Sequence, residues 1–144
     1  MRQIARAIII KNNQLLVIKR NNNGDEYYVV PGGGIDPGET AEAAAIREVM
    51  EETSINVSID RLIYTWQDEE YGAQQCFLCT YINGEPMVQE GSNEAEDNKL
   101  GLNTFEAMWL DISEIQNITL YPPNLKAALL QDIDSGLPTQ PKAI

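Results

Sequence analysis

A mixed β-sheet sandwiched between helices, an α/β fold, is what this 144-residue sequence predicts. Three observations lead there. Short apolar runs rich in Ile, Val and Tyr precede Pro31; one stretch with helix-start chemistry follows, ending near Thr53; further apolar runs then lead to a closing helix behind Pro122-Pro123. Strands on both sides of a central helix must bury their sheet faces, and a layered α/β architecture does so. A chain of this length makes one domain, burying roughly two thirds of its unfolded surface.

The opening, "RQIARAIIIKNNQLLVIKR", reads as two strands joined by a Lys11-Asn12-Asn13 turn, with Ile8–Ile10 and Leu15–Ile18 as apolar runs. "NNNGDE" is a polar loop and "YYVV" a short third strand. Pro31 to Gly34 interrupts regular structure with glycines able to take positive φ, and Pro37-Gly38 gives another turn. Thr40 is an N-cap for a helix running to about Thr53. After it, "INVSIDRLIYTWQD" and "QQCFLCTYING" are strands, residues 84–104 an acidic loop, and "FEAMWLDI" the last strand. Ser113 to Gln116 makes one helical turn. "PPNLKAALLQDI" starts with two prolines suited to a helix N-terminus and places Leu125, Leu129 and Leu130 at helical spacing. The tail, residues 135–144, is expected to be loosely held. No internal repeat or linker divides the chain.

Composition narrows the function classes. Hydrophobic residues at 43% and charged residues at 22% are an ordinary globular balance. No apolar run approaches the ~18 residues a membrane span needs, and the N-terminus lacks a small-residue cleavage site, so a cytoplasmic protein is expected. The net charge of −12, without a basic stripe, argues against duplex nucleic acid. A small anionic substrate remains compatible if metal ions bring positive charge. Cys76 and Cys79 have C-x-x-C spacing in a strand, where positions three apart face opposite ways. Buried, reduced thiols are the expectation, rather than a redox or zinc site.

The chemistry concentrates in "GGGIDPGETAEAAAIREVMEETSI", residues 32–55. On a helical wheel with Ile46 at zero, Val49 and Met50 fall near ~300° and ~40°, flanked by Ala43 and Ala45. Glu51, Glu48 and Glu52 fall near ~140°, ~200° and ~240°, opposite that apolar face. An ordinary solvated face would look the same. However, the three glutamates form an i, i+3, i+4 triplet whose mutual repulsion calls for a cation. Hard ions such as Mg²⁺ or Mn²⁺ take carboxylate, water and phosphate oxygens. Arg47, four residues before Glu51, can orient that side chain. The preceding glycines allow backbone to approach the same patch, where any side chain would block it.

On these residues the stretch resembles the box of the Nudix hydrolase family. That signature is Gly, five residues, Glu, seven residues, then Arg-Glu-apolar-any-Glu-Glu-any-Gly-apolar. Gly33, Glu39, Arg47, Glu48, Val49, Glu51, Glu52 and Ile55 stand in register. Ser54 replaces the glycine that would end the helix in the left-handed region, at a cost of ~1 kcal/mol. The resemblance implies a Nudix-type α/β/α sandwich that hydrolyses a nucleoside diphosphate linked to another group X. It implies Mg²⁺ or Mn²⁺ on Glu48, Glu51 and Glu52, with a Gly32 or Gly33 carbonyl completing the coordination. Glu52 or Glu48 would be the general base and Arg47 would orient a glutamate. Glu39 would support the ligands or hold a further metal.

Outside the box, Glu90, Glu94, Glu96, Asp97 and Glu106 are candidates for an additional metal or substrate contact, against the plain reading of a solvated loop. Lys19 and Arg20 could touch a phosphate. Tyr71, Tyr64 and Trp66 could stack on a base, although core or rim packing explains them as simply, and Trp109 reads as core. The substrate signs conflict. A nucleoside triphosphate pyrophosphohydrolase is the first reading; dinucleoside polyphosphate or nucleotide-sugar (ADP-ribose) hydrolysis is the second. A non-catalytic nucleotide sensor is the reading of another class. The expected partner is a small nucleotide, with no duplex nucleic acid and no membrane; a homodimer is left open.

Overall fold

Alternation along the first strand sets the layers. In β1 (Gln3–Lys11), Ala5, Ala7 and Ile9 enter one apolar cluster while Ile8 enters another, so β1 buries both faces. The computed structural model describes residues 2–87, 95 and 103–144. β2 (Gln14–Asn22) returns antiparallel after a turn in which Asn12 and Asn13 have φ of 52° and 60°. Such a two-residue turn needs left-handed backbone, which Asn tolerates.

The remaining elements are β3 (Asp25–Val29), β4 (Gly32–Gly34), α1 (Ala41–Thr53), β5 (Asn56–Asp68), β6 (Gly72–Asn83) and β7 (Asn103–Asp111). A 3₁₀ helix (Ile112–Asn117), β8 (Leu120–Tyr121), α2 (Pro123–Ser135) and β9 (Lys142–Ala143) follow. The sheet order among the described residues is β8-β3-β2-β1-β6-β5-β9, with β4 also on β1 and β7 also on β2. β1–β6, β3–β8 and β5–β9 are parallel and the other pairs antiparallel, so the sheet is mixed as expected. β1 and β2 pair only beside their turn, so the sheet opens into two halves beyond it. One cluster takes Leu125 and Leu129 of α2; the other takes Ala44, Ala45 and Val49 of α1. The helices thus cover opposite faces. Among the described residues no helix is long and apolar enough to cross a membrane.

Several expectations need correction. The Pro31–Gly34 stretch is not merely irregular: Gly32–Gly34 pairs with Ile4–Arg6 as β4. β7 is not the last strand, since β8 and β9 follow it. The tail is tied down rather than loose. Lys142 and Ala143 extend the sheet beside Tyr64 and Thr65, the Ile144 amide donates to Thr65 O at 3.0 Å, and Arg61 Nε donates to Pro138 O at 2.8 Å. Nothing local in "SGLPTQPKAI" announces this, because the edge it completes lies in β5. In α2, Leu130 is 41% exposed, while Ala128 and Asp132 join Leu125 and Leu129 inside.

The orientation of α1 is the correction that matters most for the site. Thr40 caps it as predicted, its Oγ1 accepting from the Ala43 amide at 3.1 Å. The buried residues, though, are Ala44, Ala45, Val49 and Thr53, and Ala43 is exposed. Their mean direction lies roughly 80° from the face centred on Ile46. Small residues explain the choice. Ala44 and Ala45 share one cluster with Ala5 and Ala7 of β1, and side chains this small let the helix backbone come close to the sheet. The same rotation turns Glu48 and Glu52 from the far side of the helix toward the glycine strand.

Candidate active site

Two contacts weld α1 to β4. The Gly32 amide donates to Glu52 Oε1 at 2.8 Å. A Cβ on Gly33 would lie 2.5 Å from Glu48 Oε1, so the side-chain-free backbone there is what admits the carboxylate. Glu48 is accordingly well covered, its side chain 14% exposed against 45% for Glu51.

Arg47 organises the acidic face. Its Nε and Nη2 donate to the two oxygens of Glu39 at 2.8 and 2.9 Å, a two-pronged pair, and Nη2 also donates to Gly34 O at 3.0 Å. Nη1 reaches Glu48 at 3.0 Å and, more weakly, Glu51 at 3.4 Å. The hydrogen bond from Arg47 pulls the Glu39 carboxyl down to about 2, and the same bond raises the Arg47 guanidinium above its ordinary value. Arg47 therefore stays cationic and Glu39 anionic throughout the neutral range.

The helix ends at Ser54, with φ 62° and ψ 19°, its amide donating to Met50 O at 2.9 Å. The left-handed terminus that a glycine would supply is thus adopted by a serine.

Glu52 also lines a cavity of about 790 Å³ between the two halves of the sheet. Arg6, Arg20 and Tyr71 share its wall with Trp66, Tyr27 and Phe105. Arg20 lies over Phe105, its guanidinium carbon 4.4 Å from the ring centroid. Lys19, on the opposite parity of β2, does not line the cavity and pairs with Glu26 at 3.4 Å. Glu106 sits beside Lys19 in β7, also off the cavity wall. Glu90, Glu94, Glu96 and Asp97 fall outside the described residues. Tyr64 is core, its hydroxyl donating to Asp132 at 2.8 Å; Trp109 is half-buried against Tyr81. Cys76 and Cys79 are free and buried on opposite faces, and burial pushes the Cys79 thiol up to about 12. Their burial is as expected.

Sequence reasoning missed Arg6 and Gln74. A signal for Arg6 existed: it interrupts the inward parity of Ile4 and Ile8 in an otherwise apolar strand. Gln74 had none, because its partner is 68 positions away.

The donor set suits a hard divalent ion. The chain has no histidine, its thiols are enclosed, and the carboxylates of Glu48, Glu51 and Glu52 project from about one turn beside the backbone of the glycine strand. Among the described residues no three acidic or thiol side chains are yet gathered into one cluster. Arg47 draws Glu48 and Glu51 to one side, while the Gly32 amide holds Glu52.

Comparison with known proteins identifies the family. The family profile described as NUDIX domain matches residues 1–130. The chain belongs to the NUDIX family. Over 64 residues, 44% of its length, this NUDIX protein is 36% identical to a putative 8-oxo-dGTP diphosphatase of Bacillus subtilis strain 168. The match spans 43% of that relative. Among solved structures, an ADP-ribose pyrophosphatase from Streptococcus suis superimposes with a TM-score of 0.72 at 17% identity, covering 99% of this chain and 98% of that one. A NUDIX hydrolase from Nitrosomonas europaea gives 0.73 at 17% identity, covering 99% and 78%. These likenesses establish the NUDIX fold for the chain.

Proposed function

We propose that this NUDIX protein hydrolyses the diphosphate linkage of a nucleoside diphosphate joined to a group X, with a nucleoside triphosphate as the first candidate substrate. One observation carries the reading. Glu52, fastened to the Gly32 amide at the edge of the acidic helix face, forms part of the wall of a 790 Å³ cavity that also carries arginines and aromatic rings. Such a cavity accommodates a ligand with an anionic bridge and a flat base. The printed name of the Bacillus relative, a diphosphatase of a nucleoside triphosphate, supports that choice of X.

Glu48, Glu51 and Glu52 would hold Mg²⁺ or Mn²⁺, with backbone of Gly32 or Gly33 as a further donor. The bound ion would neutralise phosphate charge and acidify a water molecule. The protein's own residues do the rest. Glu52, the box carboxylate on the cavity wall, takes a proton from the attacking water as general base. Arg47 holds Glu48 and Glu39 in place, and its hydrogen bond keeps Glu39 ionised. Tyr71, 45% exposed on the cavity wall, offers a face against which a base can stack, whereas Trp66 is buried in the core.

The test is phosphate-coupled turnover of a panel of nucleoside triphosphates, dinucleoside polyphosphates and ADP-ribose with Mg²⁺ or Mn²⁺. Release of pyrophosphate and nucleoside monophosphate from a triphosphate is the expected result. Nucleotide binding without cleavage across the panel overturns the catalytic reading in favour of a sensor.

A further inference from the structure

Arg6 is a cation set into an apolar strand. Its neighbours on the same face of β1, Ile4 and Ile8, are 3% and 0% exposed. Its Nε donates to Oε1 of Gln74, a side chain itself 3% exposed on the adjacent parallel strand. Its stem lies on Gly32: a Cβ there would come within 2.6 Å of Arg6 Cδ. Gly32 is the residue whose amide holds Glu52. Arg6 and Glu52 therefore face the same cavity from either side of one glycine.

Placing a guanidinium here works against the charge. Burial lowers its pKa, and the negative charges of Glu52 and Glu48 oppose that. A half-buried cation whose Nε is committed to an amide has its two terminal nitrogens directed by that bond, in a plane suited to a phosphate. Gln74 is uncharged, so its hydrogen bond fixes the fork without neutralising it.

We infer that Arg6 binds a phosphate of the substrate's diphosphate bridge on the face of Gly32 remote from the acidic helix, and that Gln74 is the positioning residue that aims its guanidinium. The diphosphate then lies across the glycine strand, with one phosphate toward Glu48 and Glu52 and the other on Arg6. The inference rests on the diphosphate reading above. It also sets a specificity: a ligand with two adjacent phosphates engages both sides once a divalent ion screens the carboxylates, and in metal-free protein the Arg6 side alone holds it.

The experiment is calorimetric titration of inorganic pyrophosphate and of inorganic phosphate into full-length protein stripped of divalent ions, so that no turnover is involved. Arg6→Gln is expected to weaken pyrophosphate binding about ten- to a hundredfold. Gln74→Leu, which changes no charge, should weaken it several-fold, and Lys11→Gln, an equal loss of charge at a side chain that packs on Tyr81 and Trp109 off the cavity, should leave it within twofold. Arg6→Lys keeps the charge but not the fork, and should recover only part of the loss; it also serves if the glutamine variant does not fold. Pyrophosphate affinity within twofold of wild type in folded Arg6→Gln, or full recovery in Arg6→Lys, overturns the inference. Arg6-dependent binding without hydrolysis of any nucleotide would retain this site while removing the catalytic reading. Hydrolysis indifferent to Arg6 would do the reverse.

Discussion

The backbone of Gly33 and the carboxylate of Glu48 are in direct contact: a single added methyl would sit 2.5 Å from Oε1. The group in the way is the tip of a side chain. Gly33→Ala is therefore expected to displace Glu48 rather than unfold the protein, lowering turnover on the order of 10²-fold while the melting temperature changes by a few degrees. Gly32→Ala makes the contrast, because its Cβ would strike the backbone oxygen of Ala5. That variant should lose stability outright. Thermal melts beside steady-state assays of the two variants separate the effects.

Glu52→Gln keeps an oxygen for the Gly32 amide but removes the basic carboxylate. Turnover is expected to fall roughly 10²–10⁴-fold with an unchanged circular dichroism spectrum. Undiminished turnover would take Glu52 out of the mechanism.

Acid should loosen the Glu39–Arg47 clamp. The Glu39 carboxyl titrates at about 2 in the fold instead of the ordinary 4.5. A depressed folded value means its contribution is fully present above pH 4.5 and is lost as pH falls toward 2. Glu39→Gln should be less stable than wild type at pH 6, and the gap should narrow between pH 4.5 and 2. Denaturant midpoints measured along that range give the comparison.

Ser54 holds φ at 62° without being glycine. Ser54→Gly relieves the left-handed strain and gives back some unfolded-state entropy, for a net gain of about 0.5–1 kcal/mol. A rise of roughly 2–4 °C in melting temperature is expected, and a fall would show that the Ser54 side chain contributes more than the strain costs.

Asp132 joins the core to the tail. It accepts from Tyr64 Oη at 2.8 Å and pairs with Lys142 Nζ at 3.2 Å, and is 6% exposed. Asp132→Ala leaves a buried hydroxyl without that acceptor, a loss of about 1–3 kcal/mol. It should also speed carboxypeptidase trimming from Ile144, read by mass spectrometry. Trimming at the wild-type rate would mean that the β5–β9 pairing holds the tail unaided.

Local chemistry made much of this molecule legible. Thr40 caps α1 through its own hydroxyl, Asn12-Asn13 turns β1 into β2, and the strands alternate as their residues alternate. The glutamate triplet was readable because i, i+3 and i+4 meet on any helix. Less legible was the face α1 buries. Ile46 marked the apolar side by hydropathy, whereas Ala44, Ala45, Val49 and Thr53 are the residues that let the helix close on β1. Packing distance, not hydropathy, decided between two plausible rotations. The cavity was illegible for another reason, since Arg6, Glu52, Trp66 and Gln74 come from four separate elements.

By itself the amino-acid order determined the longer strands and both helices, the spacing of the three carboxylates and the family they resemble, because each depends on neighbours a few residues apart. Only the tertiary structure decided that Glu48 and Glu52 meet the glycine strand, that Gln74 aims Arg6 and that the tail closes an edge. Those contacts join residues 15 to 78 positions apart, where no local rule relates the partners and only the packing of small side chains and the parallel β1–β6 and β5–β9 registers bring them together.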